Sequence, residues 1–456
     1  MSNAAKIVIA AIDARVRPVQ LRLPFRFGAI TLTACPQLFV RVALASGAEG
    51  FAAEMMVPKW FDKRPTLTPS DNIAHLALAI EMTTAAYVDD APATTFGLYR
   101  RHRLALASAA EGAGLTGLSA SFGQAVIDRA VIDAMCRERG ASFFDAARGN
   151  LFGIEQVDGL AGWDWSGWLA ALVPLQRIEA RHTVGMLDEL DTIRDGEDGL
   201  PISLRAVIRR YGHRSFKVKL GGNPATDLAR LRAVLAVLDS EVGSFRYTLD
   251  GNEQYADTNA LEELLDGLNP LQRPLYIEQP VPRELSFSTA LPADRIAPFL
   301  MDEADGSLDA FALGREVGWR GISSKACKGV YKSLINRARC DHWNAPSGQP
   351  RFFMSAEDLT CQAGLSVQQD LALVSLLGIA HCERNGHHYG AGFGIAPPAE
   401  RDAFRSAHGD LYDGDARLRI AGGVIHIDSL FAPGYARLVA PDWQATLPLR
   451  TAADLL

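Results

Sequence analysis

The 456-residue chain lacks the marks of a secreted, membrane-spanning or nucleic-acid-binding protein. Its six cysteines, Cys35, Cys136, Cys327, Cys340, Cys361 and Cys382, form no CxxC pair. That excludes a zinc ribbon and a dense disulfide framework, and leaves six reduced thiols. Charge of one sign is also missing: 46 basic against 53 acidic residues leave only −7, which gives no electrostatic reason to expect nucleic acid. The longest apolar run, Leu371 to Ala380, holds ten residues, about half of the ~20 that cross a bilayer, so no membrane partner is expected. The opening MSNAAKIVIAAIDARV offers six apolar residues before Asp13 and Arg15 interrupt them, too few for a signal-peptide core. A cytoplasmic location is the expectation. With 48% apolar and 22% charged residues there is no disorder-prone bias either, so a chain of this length should fold as two or three ordinary domains.

What is present changes style along the chain. From Lys6 to about Ala53, short alternating stretches such as IVIAAIDARV and QLFVRVAL predict an antiparallel meander. From Ser70 to about Arg139 the apolar spacing is helical, and Gly140 supplies a stop. The tryptophan- and glycine-rich GLAGWDWSGW, Gly159 to Trp168, is placed at a domain border. Beyond Ala180, eight strand candidates alternate with amphipathic helices: RHTVGML, SFKVKL, RYTLD, PLYIEQ, PFLMDE, GISSKA, RFFMSAE and LGIAHCER. This βαβα order predicts a closed parallel barrel. An open doubly wound sheet is disfavoured because a GxGxxG turn is absent. After Ala396, the alternating RLRIAGGVIHIDSLFAPGY is expected to fold back on the first domain.

In a parallel barrel the chemistry gathers at the C-terminal ends of the strands. Here those ends carry Lys217 and Lys219, Asp250 and Asn252, Glu278, Asp302 and Glu303, then Lys325. The steps from Lys219 through Asp250, Glu278 and Asp302 to Lys325 are 31, 28, 24 and 23 residues, each one strand-helix unit, so the groups should be neighbours in a ring. Three carboxylates converging from adjacent strands repel one another unless a cation lies between them. All-oxygen ligands favour Mg²⁺, with Mn²⁺ as a substitute. Two-residue alternation turns Lys217 and Lys219 toward the barrel mouth, and ammonium groups crowded near a dication are expected to have lowered pKa values. The same alternation favours Lys325 over Lys328, which falls three residues later and should point away or lie in the loop.

The segments FKVKLGG, LDGNEQY, YIEQP, MDEADGS and SSKACKG resemble the enolase superfamily, and within it the muconate-lactonizing-enzyme-like type of the mandelate racemase/muconate lactonizing enzyme family. The resemblance implies an α/β fold, a modified TIM barrel of the (β/α)7β type with an N-terminal α+β capping domain. It places the cap at 1–160, the barrel at 161–400 and a C-terminal return at 401–456. It implies Asp250, Glu278 and Asp302 as Mg²⁺ ligands, supported by Asn252 and Glu303. It makes Lys219 and Lys325 the acid/base pair, Lys217 the group that lowers the pKa of Lys219, and Glu383 an acidic residue at the eighth strand's end. The implied activity is removal of the α-proton of a small-molecule carboxylate to give a metal-stabilised enediolate. A racemase or epimerase comes first and a cycloisomerase or dehydratase/lyase second, in a homo-oligomer. A catalytically silent ligand-binding barrel is the alternative from another class. A hydrolytic barrel is disfavoured because RHTVGM lacks an HxH.

Other features have plainer readings. Arg26, Lys59 and Trp60 lie where the family's mobile cap loops would close over substrate, and the two cations could meet a second anionic group. His387 and His388, beside Asn385-Gly386, suggest a solvated or substrate-touching loop rather than a second metal site, since adjacent loop residues diverge. Gly221-Gly222-Asn223-Pro224 reads as a tight turn in preference to an anion cradle.

Overall fold

The computed structural model describes residues 4–268, 271–292 and 296–456, so Met1 to Asn3 of the opening stretch lie outside it. Alternation in the first 55 residues becomes a three-strand antiparallel meander, β1 (Ile9–Phe27), β2 (Ile30–Leu44) and β3 (Glu49–Met55). Three helices cover it, α1 (Pro69–Tyr87), α2 (Thr95–Gly112) and α3 (Gly117–Glu138), each opened by a threonine whose hydroxyl caps a backbone N–H. The sheet and α3 touch directly at Gly50, where a Cβ would sit 2.0 Å from the carbonyl oxygen of Ala130. Short helices α4 (Phe143–Arg148) and α5 (Trp165–Ala170) lead out of the cap; the expected tryptophan-rich border forms α5 and its approach.

Eight parallel strands follow: β4 (Arg177–Val184), β5 (Ser215–Lys219), β6 (Arg246–Asp250), β7 (Ile277–Glu278), β8 (Phe299–Met301), β9 (Gly321–Ser324), β10 (Phe353–Ala356) and β11 (His381–Arg384). They pair in sequence order, and β11 pairs with β4, so the barrel is closed. Helices α6 (Leu204–Tyr211), α7 (Pro224–Glu241), α8 (Thr258–Leu268), α9 (Ala310–Glu316), α10 (Val330–Asn344) and α11 (Leu365–Leu376) wrap it. Between β7 and β8 the described residues hold only a 3₁₀ turn, Arg283–Leu285. After β11 come the one-turn α12 (Gly386–Tyr389) and α13 (Pro398–Ala407).

The C-terminal return is split, so RLRIAGGVIHIDSLFAPGY folds back on the first domain in its second half only. Within that stretch β12 (Val424–His426) joins the barrel antiparallel to β4, because the outer edge of β4 is free there. The end of the same stretch returns to the cap, where Phe431 stacks on Phe144, Tyr435 stacks on Phe143 and Gly434 exchanges backbone hydrogen bonds with Ala141 and Phe143. Beyond it β13 (Leu447–Pro448) pairs with β1. All six cysteines are unpaired and buried. Among the described residues, no helix is long and apolar enough to cross a membrane.

Candidate active site

Strand alternation decides which side chains enter the barrel. Lys217, Lys219, Asp250, Glu278, Asp302 and Lys325 come from β5 to β9 or the first residue after them, and all are buried. Register puts Lys219 beside Asp250, and Asp250 beside Glu278. Glu357 and Glu383 extend the ring onto the seventh and eighth strands.

Lys217 lies at the centre. Its Nζ is 2.9 Å from Asp250, 2.8 Å from Glu278, 2.8 Å from Glu357 and 2.9 Å from Glu383. Burial alone would drive its pKa down, but the four carboxylates outweigh it and hold the ammonium well above the ordinary range. Lys217 thus faces acids on all sides and meets Lys219 through their shared partner Asp250. Lys325 is also held up: burial lowers it, but Asp302, 2.8 Å away, more than compensates. Lys219 donates to Asp250 at 2.5 Å.

The acids divide accordingly. Burial raises Asp302, yet Lys325, Lys328 and Lys217 pull it well below the usual carboxylate range. Burial is likewise outweighed at Glu383 by Lys217, Lys219 and Lys325. Glu278 goes the other way: burial, then Asp250, Glu357 and Asp302, push its carboxyl well up despite Lys217. Rather than meeting at one point, Asp250, Glu278 and Asp302 are distributed around ammonium groups. Two sealed oxygens beside them, Glu303 Oε2 and Asn252 Oδ1, receive no hydrogen bond, and Glu278 Oε2 has only Lys217 Nζ, at 2.8 Å. Asn252 Nδ2 and Lys63 Nζ both donate to the other Glu303 oxygen, each at 3.0 Å.

Lys328 departs from expectation. The 3₁₀ turn Ala326–Lys328 carries the chain back beneath the fifth strand, so Lys328 is buried and donates to Asp302 Oδ1 at 2.9 Å and to Ser323 at 2.7 Å. It stands behind Asp302. Lys325 instead lines a small cavity of about 20 Å³ together with Lys219, Asn252, Asp358, Glu383 and Asn385. β5 and β9 are four strands apart in an eight-strand barrel, so the two lysines reach this cavity from opposite walls.

The cap roofs the cavity with Phe25, Phe27, Val57 and Trp60. The Trp60 ring lies 4.0 Å from Lys325 Nζ, and the Phe25 ring 5.8 Å from Lys219 Nζ. Of the three substrate-loop candidates only Trp60 lines the cavity. Arg26 alternates outward between the buried Phe25 and Phe27, and its Nε lies 3.5 Å from the Gly28 carbonyl. Lys59 is tied into its own loop, donating to the carbonyls of Arg64 and Leu67. The amides of Gly221 and Gly222 donate to Asp227 at 2.8 and 2.9 Å, so this turn serves its own helix.

Sequence reading missed Glu357, Arg181 and the two phenylalanines. The strand-end rhythm continued one unit further would have found Glu357. Arg181, fully buried, pairs with Glu357 and donates to Ser355 at 3.2 Å, holding that acid toward Lys217. The reading of His387 and His388 as a solvated loop is overturned. α12 coils them into one turn, and both rings reach His182, with centroids at 5.6 and 5.1 Å. Burial holds His213 down to about 4 and His388 to about 3, and His182 and His387 well below the ordinary value, so these rings are neutral.

Comparison with known proteins agrees with this architecture. Residues 202–313 match the family described as enolase C-terminal domain-like. No curated protein matches the sequence. The fold is shared with a dipeptide epimerase from Enterococcus faecalis solved with Mg and L-Leu-L-Tyr, at 14% identity, covering 94% of this chain and 99% of that one, with a TM-score of 0.62. It is shared with a muconate lactonizing enzyme from Pseudomonas fluorescens complexed with muconolactone, at 16% identity, 97% and 98% coverage and a TM-score of 0.62. An enolase from Bradyrhizobium complexed with magnesium and mandelic acid is similar at 18% identity, 96% and 97% coverage and a TM-score of 0.59. At such identities the likeness is one of fold.

Proposed function

Since the barrel is an enolase-superfamily domain of the mandelate racemase/muconate lactonizing enzyme kind, we propose that this protein removes the proton α to a carboxylate and returns one to the opposite face, as a racemase or epimerase. The observation that carries the reading is the pair Lys219 and Lys325, on opposite walls of one cavity beneath an apolar roof. Two amines so placed can serve the two faces of one carbon, one taking the proton on Nζ and the other donating from Nζ. Phe25, Phe27, Val57 and Trp60 keep water from the reacting carbon and favour an apolar group on the substrate.

The donor set fits a hard divalent cation: three buried carboxylates, with Asn252 Oδ1 lacking a donor and Glu278 pushed up by burial and by like charges. Asp250, Glu278 and Asp302 would hold it, with Asn252 and Glu303 supporting. Mg²⁺ or Mn²⁺ there would supply Lewis acidity to the substrate carboxylate and take over the negative charge that these acids now give to Lys219 and Lys325. Lys217 keeps the middle of the acid ring neutralised, and Glu383 holds its place through Thr183, at 2.5 Å, and Lys217.

Incubation in D₂O with Mg²⁺ and a panel of N-acyl amino acids, dipeptides and 2-hydroxy acids tests this. Deuterium should enter the α-position of both enantiomers of a substrate. Lys219→Gln and Lys325→Gln should each abolish exchange from one configuration only. Exchange depending on a single lysine would point instead to a cycloisomerase or dehydratase. No exchange and no product from any acid would leave a silent binding barrel.

A further inference from the structure

A second cluster lies on the other side of the barrel wall. On β4, Arg181 and Thr183 face inward to Glu357 and Glu383, so His182 between them faces out. It meets His213, from the loop before β5, with ring centroids 5.1 Å apart, and His387 of α12 at 5.6 Å; His213 and His387 are 5.3 Å apart. One ring nitrogen from each of the three lies within 4.8 Å of the others.

These rings have no protein partner for the nitrogens that matter. His213 places Nδ1 3.1 Å from the carbonyl of Ala180, which makes Nδ1 the donor and leaves a lone pair on Nε2. That Nε2 is sealed from solvent and has no hydrogen bond; the same holds for His182 Nδ1 and both nitrogens of His387. His182 and His213 are each 1% exposed. A backbone carbonyl fixing one ring nitrogen while the other points into a shared space is the outer-shell arrangement of metal-bound histidines. Asp188 and His388 approach His182 from the other side, but the Asp188 carboxylate is already satisfied by Tyr389 and the Gly185 amide.

We propose that His182, His213 and His387 form a buried transition-metal site, selective for Zn²⁺, separate from the carboxylates at the barrel mouth. Three neutral imidazoles suit zinc and its borderline neighbours, not Mg²⁺. Tetrahedral ligation at about 2.0 to 2.1 Å sets nitrogens about 3.4 Å apart, against a present spacing within 4.8 Å. The ion would join the first barrel strand, the approach to the second and the turn after the eighth, across the seam where the barrel closes. It would also fix α12, whose Tyr389 stacks on Phe25 of the cavity roof at 4.2 Å.

The test uses the untagged full-length chain, stripped with chelator and dialysed against Zn²⁺ or Co²⁺ in excess Mg²⁺. One zinc per chain should be retained. Co²⁺ should give the intense visible bands of tetrahedral coordination, and X-ray absorption of the zinc form should show imidazole scattering. Asp250→Asn with Glu278→Gln should keep that zinc; His213→Gln and His387→Gln should lose it, along with a zinc-dependent rise in Tm. No retained zinc, or zinc whose absorption spectrum shows oxygen ligands alone, overturns the proposal. So does a zinc lost with the acidic pair and kept by the histidine variants. If the histidine variants do not fold, the spectra of the unaltered chain decide.

Discussion

At the barrel mouth each buried ammonium leans on a carboxylate, whereas the buried rings outside the first strand share a single backbone carbonyl and leave their other sealed nitrogens unpaired. Thr183 faces the charged interior through Glu383; His182, next to it, faces neutral histidines outside. The pleat of a single strand thus separates two ways of burying polar groups. The inner cluster balances its own charge and can exchange part of that balance for a cation. The outer one stays uncharged, and its lone pairs are answered only by something added. Identical burial therefore says little about what a cluster binds, and partner count says much.

Removing the centre of the inner cluster should do most harm. Lys217→Met leaves four buried carboxylates without their common cation, and a loss of about 3 to 5 kcal/mol in denaturant unfolding is expected. Added Mg²⁺ should recover part of it. Changing the lysines at the cavity should spare stability by comparison but lower turnover about 10²- to 10⁴-fold in steady-state kinetics, for Lys219→Gln and for Lys325→Gln alike.

His408 calibrates the neutral side of the comparison without a metal question. Burial lowers its pKa to about 4, against about 6.5 in an unfolded chain. The unfolded state then binds more protons, so the stability linked to this ring is full above about pH 6.5 and falls as pH drops toward 4. The total is about 3 kcal/mol. His408→Gln should flatten the pH dependence of unfolding in that window by this amount. The smallest effect is expected at the rim. Lys63, which pairs with Glu253 at 2.7 Å and Glu303 at 3.0 Å, is partly exposed, and Lys63→Ala should cost about 1 kcal/mol and raise KM more than it lowers kcat.

Much of this was legible because the strands β5 to β9 are short runs that end in, or run straight into, an ionisable residue. Burial, alternation and the position of strand ends follow from that pattern alone, so Lys219, Asp250, Glu278, Asp302 and Lys325 could be named in order. Direction within a loop was not legible. In Phe25-Arg26-Phe27 the charge drew attention, but the alternating phenylalanines were the pair that faces the cavity. Lys328 was misplaced because a 3₁₀ turn abandons the two-residue repeat. The histidines escaped because His182, His213 and His387 come from three distant parts of the chain, and only closure of the barrel between β11 and β4 brings them together.

The size of the cavity has one more implication. About 20 Å³ accommodates roughly a single water molecule, so no acid reaches the lysines unless the cap lifts. Lys63 and Arg283 tie the two domains over this space, Arg283 donating to the carbonyls of Phe61 and Trp60 at 2.7 and 3.0 Å. Those ties would have to part for an acid to enter and re-form to close over it. Dissolved salt is therefore expected to reach the partly exposed Lys63 before any other tie, easing that corner of the roof while the buried charges beneath keep their balance.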